Sequence, residues 1–134
     1  MAESLIVDAN PLLSALLGGR AREIVFSEKF ALYSTQHTLF EVEKYLPLLA
    51  RRLGCTELAL LREFQLLPII ACQPIVYERR IAEAVRLIGR RDPKDVPILA
   101  LTLELGYSIW TEDHDFDNLP GVIVRKTAGL LARL

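Results

Sequence analysis

Short apolar runs alternate along this chain with longer stretches of helical periodicity, and that alternation limits the fold more than any other feature. The runs are "SLIVD" at 4–8, "FALYST" at 30–35, "YSIWT" at 107–111 and "VIVRK" at 122–126, with "IIACQ" at 69–73 read as a strand or an extended connection. Strands that alternate with helices predict a parallel sheet with right-handed crossovers, covered on both faces. The expected fold class is α/β, built on a central parallel sheet. At 134 residues, 51% of them hydrophobic and 25% charged, the chain suits one core. It is read as a single domain, 1–134.

Between the runs, Asn10-Pro11 opens a helix that Gly18-Gly19 ends, and a second short helix is expected over 21–30. From Gln36 to Leu53 the apolar residues Leu39, Val42, Leu46, Leu49 or Ala50, and Leu53 recur every three or four positions, which predicts an amphipathic helix kinked at Pro47. Thr35 or Ser34 is placed to cap that helix, and Thr56 to cap the next, "TELALLREFQLL". Residues 74–90 predict a helix with Ile81, Val85 and Ile88 on its inner face, and "DPKDVPILALTLELG" one that is apolar nearly all round. "AGLLARL" predicts a terminal helix.

Lysine and arginine number 16 against 17 acids, so no overall positive field attracts nucleic acid and any such contact has to be local. Cys55 and Cys72 form no metal-ligand pattern and are read as buried reduced thiols. The segment "MAESLIVDANPLL" carries Glu3 where a signal peptide needs positive charge, and no apolar run approaches the ~18–20 residues that span a bilayer. The expected compartment is the cytoplasm, with no membrane association.

Acids gather where the predicted fold would place a ligand. In an open parallel sheet that place is the carboxyl edge of the strands. Asp8 ends the first run and Asp113 follows "YSIWT", while Glu41 and Asp95 open helices that start from the same edge. Carboxylates ~4–5 Å apart repel by about 3–4 kcal/mol at an effective dielectric near 20, and protonation or a divalent cation is the usual relief. An all-oxygen donor set favours Mg²⁺ or Mn²⁺ over zinc or copper, which points to phosphate-ester chemistry.

These segments resemble the PIN-domain family, the nuclease fold of VapC-type toxins, through "IVDANPLL" (Asp8, Asn10), "TLFEVEKYL" (Glu41), "RDPKDVPILALTLELG" (Asp95) and "IWTEDHDF" (Thr111, Asp113, Asp115), in the family's order. The resemblance implies a three-layer α/β/α sandwich over the central parallel sheet and a Mg²⁺- or Mn²⁺-dependent endoribonuclease that hydrolyses single-stranded RNA to a 5′-phosphate and a 3′-hydroxyl. Asp8, Glu41, Asp95 and Asp113 would hold the metal with help from Asp115, while Asn10 and Thr111 steady the first and last acids. It also implies the toxin role in a toxin–antitoxin pair, with a small antitoxin partner and a homodimer, for which the apolar stretch from Leu39 to Leu67 offers a surface. Glu112 and Pro47 depart from the family's pattern.

Plainer readings stand beside these. Asp8 and Asp95 also suit helix caps, Asp92 is read as a cap ahead of Pro93, and Glu112, Asp117 and His114 as solvated. Arg79, Arg80, Arg86, Arg90 and Arg91 are either a solvated face paired with Glu78 and Glu83 or RNA contacts. A scaffold that binds RNA or a partner without cutting, and a phosphoreceiver domain, are the alternative functions. The second is disfavoured because "FALYST" ends in no acid.

Overall fold

Five strands, all parallel, make one sheet in the computed structural model, which describes residues 1–134: β1 Glu3–Val7, β2 Phe30–Thr35, β3 Ile69–Cys72, β4 Ser108–Trp110 and β5 Val124–Arg125. Their order is β3-β2-β1-β4-β5, so the direction of winding reverses at β1, whose neighbours are β2 and β4. Registers Ile6↔Tyr33 and Val7↔Trp110 bring the carboxyl ends of the three central strands to one edge. Nine helices connect them: α1 Ala9–Leu16, α2 Ala21–Val25, α3 Gln36–Lys44, α4 Leu46–Leu53, α5 Glu57–Gln65, α6 Pro74–Tyr77, α7 Ile81–Ile88, α8 Val96–Leu105 and α9 Thr127–Leu131.

The two-residue period of the strands divides the core. Leu5, Val7, Phe30, Leu32 and Trp110 join one apolar layer with residues of α1 to α5 and α9. Ile6, Ile109 and the half-buried Tyr33 join the other, with residues of α6 to α8. The expected three-layer sandwich is therefore the observed one. Helix α8 lies deepest, with Val96 and Ile98 through Thr102 all buried, which explains its apolar sequence. It stops at Gly106, whose φ of +71° is a conformation that a side chain would disfavour. No helix is long and apolar enough to cross a membrane.

Four local expectations are corrected. The predicted kinked helix over 36–53 is two helices that part at Tyr45, and Pro47 sits in the first turn of α4, where its missing N–H leaves no bond unmade. The second helix ends at Val25. On α7 the inner face carries Ala84 and Ile88, while Val85 faces solvent. Of the two cysteines only Cys72 is buried, and burial pushes its thiol pKa up; Cys55 is exposed.

Both predicted threonine caps form. The Thr35 hydroxyl accepts from the Thr38 N–H at 2.9 Å, and the Thr56 hydroxyl from the Ala59 N–H at 3.1 Å. Thr56→Ala should therefore lower stability by about 1 kcal/mol, read as a shift of the urea midpoint at constant slope. An unchanged midpoint would mean that the bond does not hold the start of α5.

Candidate metal centre

Because Val7 pairs with Trp110, the next residues of the two strands, Asp8 and Thr111, meet across the sheet edge. The Asp8 N–H donates to the Trp110 carbonyl at 3.1 Å, which fixes that meeting in the backbone. One oxygen of the buried Asp8 carboxyl accepts the Ala9 N–H at 2.8 Å and so caps α1; the other accepts the Thr111 hydroxyl at 2.7 Å. Asp8 thus serves as cap while lying within the acidic edge. Burial pushes its pKa up against the pull of those two donors, and the charges of Asp113 and Glu41 push the same way.

Thr111, with no exposed surface, also accepts the Asp113 N–H at 3.0 Å. The Asp113 carboxyl in turn accepts the Asp115 N–H at 2.9 Å and caps the single 3₁₀ turn His114–Phe116, which the fully buried Phe116 ring pins to the core. One threonine and one carboxylate therefore fold the segment after β4 back on itself. Thr111→Val should leave the fold intact yet weaken divalent-cation affinity by roughly 10- to 100-fold, measured by calorimetric titration with Mn²⁺.

The other acids enter ahead of α8. Asp92 precedes and Asp95 ends a 3₁₀ turn that Pro93 opens, and side chains three residues apart eclipse in that geometry. Carboxylate oxygens of Asp92, Asp95, Asp113 and Asp115 all lie within 4.8 Å of one another. Asp95 Oδ2 is buried and finds no donor. The neighbouring Asp92 carboxyl is also an acceptor, and the two can bond only by sharing a proton. Desolvation first, then the charge of Asp8, the bond and charge of Asp92, and the charge of Asp113 push the Asp95 pKa up to about 9. In the metal-free protein that shift favours the protonated acid.

The structure thus brings Asp95, Asp113 and Asp115 into one cluster, with Asp8 joined to Asp113 through Thr111. It adds Asp92, which sequence reasoning took for a cap; the Asp92 side chain makes no capping bond. The overlooked signal was the D-x-x-D spacing across a proline-opened turn. Glu41 stands beside this cluster rather than in it, its carboxylate 3.2 Å from His37 Nε2 on the same helix. Asn10 is exposed and makes no hydrogen bond to Asp8, whose two oxygens accept from Ala9 and Thr111.

The remaining acids of the 112–117 stretch have structural partners. Glu112 accepts the Thr127 N–H at 2.7 Å at the start of α9. Asp117 pairs with His114 Nδ1 at 2.9 Å and with Lys126 at 3.4 Å, which lowers its pKa and keeps the histidine, 89% exposed, occupied outside the cluster. Arg79 clamps Glu104 with two hydrogen bonds and Arg80 approaches the same carboxylate at 3.5 Å, so Glu104 replaces the expected Glu78 as partner. Arg91 donates to the Asp115 carbonyl at 3.3 Å.

An open α/β sheet with acids at its switch point is common to several families, and the sequence decides among them. The family model for the PIN domain matches residues 6–134. This chain belongs to the PIN-domain family. The PIN fold is shared with VapBC2 from Rickettsia felis bound to a DNA fragment from its promoter, at 12% identity and a TM-score of 0.69, over 92% of this chain and 98% of that one. It is shared with a toxin–antitoxin complex from Klebsiella pneumoniae, at 22% identity and a TM-score of 0.62, over 89% and 95%. A third likeness is to VapC20 from Mycobacterium tuberculosis, a sarcin-ricin loop cleaving toxin, at 17% identity and a TM-score of 0.57, over 89% and 98%. No curated protein sequence matches the chain.

The donor set of this PIN domain fits a hard divalent cation. All its candidate ligands are carboxylates, and one buried oxygen, Asp95 Oδ2, accepts from no N–H or hydroxyl of the protein. A positive ion would supply a partner and relieve the repulsion that keeps Asp95 protonated.

Proposed function

We propose that this PIN domain is a metal-dependent endoribonuclease that hydrolyses single-stranded RNA, acting as the toxin of a toxin–antitoxin pair. The single observation behind the reading is the meeting of Asp92, Asp95, Asp113 and Asp115 around an oxygen without a donor, next to Asp8. Asp8, Asp95 and Asp113 would hold Mg²⁺ or Mn²⁺, with Asp92 and Asp115 close enough to share it and Glu41 acting from the side. Such an ion lowers the pKa of a bound water and stabilises charge on the attacked phosphate.

The chain's own residues supply position. Thr111 fixes the rotamer of Asp8 and the backbone of Asp113 together, so the two acids keep one spacing. Asp8 and Asp95 sit at the starts of α1 and α8, where the helix dipole favours the ionised carboxylate once a cation has replaced the proton. Overall, water adds to phosphorus and the P–O3′ bond breaks, leaving a 5′-phosphate and a 3′-hydroxyl.

Toxin–antitoxin proteins among the similar structures support the pairing with a small antitoxin. A surface for such a partner, or for a second copy, is offered where α3, α4 and α5 expose Phe40, Leu48 and Leu58. The rival reading, a scaffold that binds without cutting, differs in one measurable way. A cation held by the folded acids should raise the melting temperature, by about 2.7 kcal/mol of stability at a hundred times its dissociation constant. Mn²⁺ that leaves the melting temperature unmoved, or an Asp113→Asn protein that still cuts single-stranded RNA at the normal rate, would refute the nuclease reading.

A further inference from the structure

A polyanion has to approach a cluster of acids on a chain whose net charge is −1. That approach needs local cations beside the acids, and three basic side chains are engaged elsewhere: Arg79 and Arg80 by Glu104, Lys126 by Asp117. Two are free. Lys44 ends α3 and Lys94 immediately precedes Asp95, and neither enters any ion pair. Although 50 residues apart in sequence, they line one cleft of about 340 Å³ together with Glu41 and Tyr45. That volume lies within the ~300–1,000 Å³ range of small-ligand sites.

The cleft adjoins the acids on two sides. Glu41 forms one wall, and its charge is felt at Asp8. Lys94 forms another, one residue from Asp95. Tyr45 stands at the break between α3 and α4 and is 50% exposed. Pro47, a departure from the family pattern, is thus placed beside the residue that gives the cleft its aromatic wall.

Resting on the nuclease reading above, we propose that this cleft is a subsite for the nucleotide flanking the scissile bond. The Lys44 and Lys94 ammonium groups would take its phosphate, and the Tyr45 ring would stack on its base. Two cations suit a phosphate, and a half-exposed ring offers a face to any base without selecting sequence. The separation of Glu41 from the four clustered aspartates agrees with this, since Glu41 then borders both the cation and the flanking nucleotide.

The test uses the full chain and a fluorescein-labelled, single-stranded oligouridylate. Binding is measured by anisotropy in EDTA over a range of salt, and cleavage in Mn²⁺. The double variant K44Q/K94Q should bind about tenfold more weakly and flatten the slope of log K against log salt by about 1.4, some 0.7 for each charge on a single strand. Tyr45→Ala should weaken binding about 5- to 10-fold while Tyr45→Phe stays within about twofold, because the ring and not the hydroxyl does the stacking. In cleavage the loss should appear in KM more than in kcat. Wild-type affinity and salt slope in K44Q/K94Q, in protein that still cuts RNA, would overturn the subsite and leave the nuclease reading standing. An equal effect from R51Q/R52Q would overturn it too, by showing non-specific attraction. A wild-type protein that neither binds nor cuts would remove both proposals.

Discussion

Asp95→Asn should make the metal-free protein more stable and at the same time abolish divalent-cation binding and RNA cleavage. The native Asp95 carboxyl titrates at about 9 against an ordinary value of 3.8. Below pH 3.8 both folded and unfolded chains hold the proton, and the contribution to stability is fully present. As pH rises from there the unfolded chain gives the proton up while the folded one keeps it, so stability falls until about pH 9 and then levels off. Asparagine carries no charge to desolvate and offers Asp92 a donor, so it removes this slope. Because Asp95 is only half-buried, solvent screening reduces the gain near neutral pH to about 1–3 kcal/mol.

The same proton opposes the cation. Mn²⁺ has to displace it, so affinity should climb with pH by up to about tenfold per unit until the group titrates, with proton release that calorimetry in buffers of different ionisation enthalpy would register. A group that destabilises the fold while serving the chemistry is the usual trade at a working site. An Asp95→Asn protein that melts lower than the wild type at pH 8 in EDTA would contradict the assignment, as would wild-type stability that does not change between pH 5 and pH 8.

Phe116→Ala should lower stability sharply. Its ring has no exposed surface and closes the 3₁₀ turn that follows Asp113. Deleting a fully buried phenylalanine typically costs 3–5 kcal/mol, so the urea midpoint should fall steeply. The site should suffer as well. Asp113 and Asp115 are aimed by the bonds between Thr111, Asp113 and Asp115, and those bonds close only while the turn stays seated. Mn²⁺ affinity should drop at least about tenfold even under conditions where the variant remains folded, and Phe116→Leu should recover most of it. A destabilised Phe116→Ala protein that kept normal Mn²⁺ affinity would show that the turn holds its aim without the ring.

Much of the scaffold was readable because its signals are local. "FALYST" forms β2 over the predicted residues, and the caps at Thr35 and Thr56 use hydroxyls three residues ahead of the N–H they accept. The placing of Asp8 and Asp113 on one edge followed from each standing just after a strand of a parallel sheet. The errors came where neighbours in space outweighed neighbours in sequence. Val85 fits the helical period, but α7 packs through Ala84 because the close approach of α8 favours a small side chain there. Glu112 and Asp117 resemble their neighbours in composition, yet one caps α9 and the other holds His114 and Lys126, contacts that only the folded loop creates.

By itself the sequence determined the parallel α/β sheet and the edge at which acids gather, since strand and helix periods and the residue types that end them are written along one dimension. Which carboxylates share a site was decided by the tertiary structure. A 3₁₀ turn rotates Asp92 onto the side of Asp95, α3 holds Glu41 against His37 beside the cluster, and burial strips Asp95 Oδ2 of every N–H or hydroxyl donor. Those outcomes depend on distances of a few ångströms and on the removal of water, and neither has a counterpart in residue order.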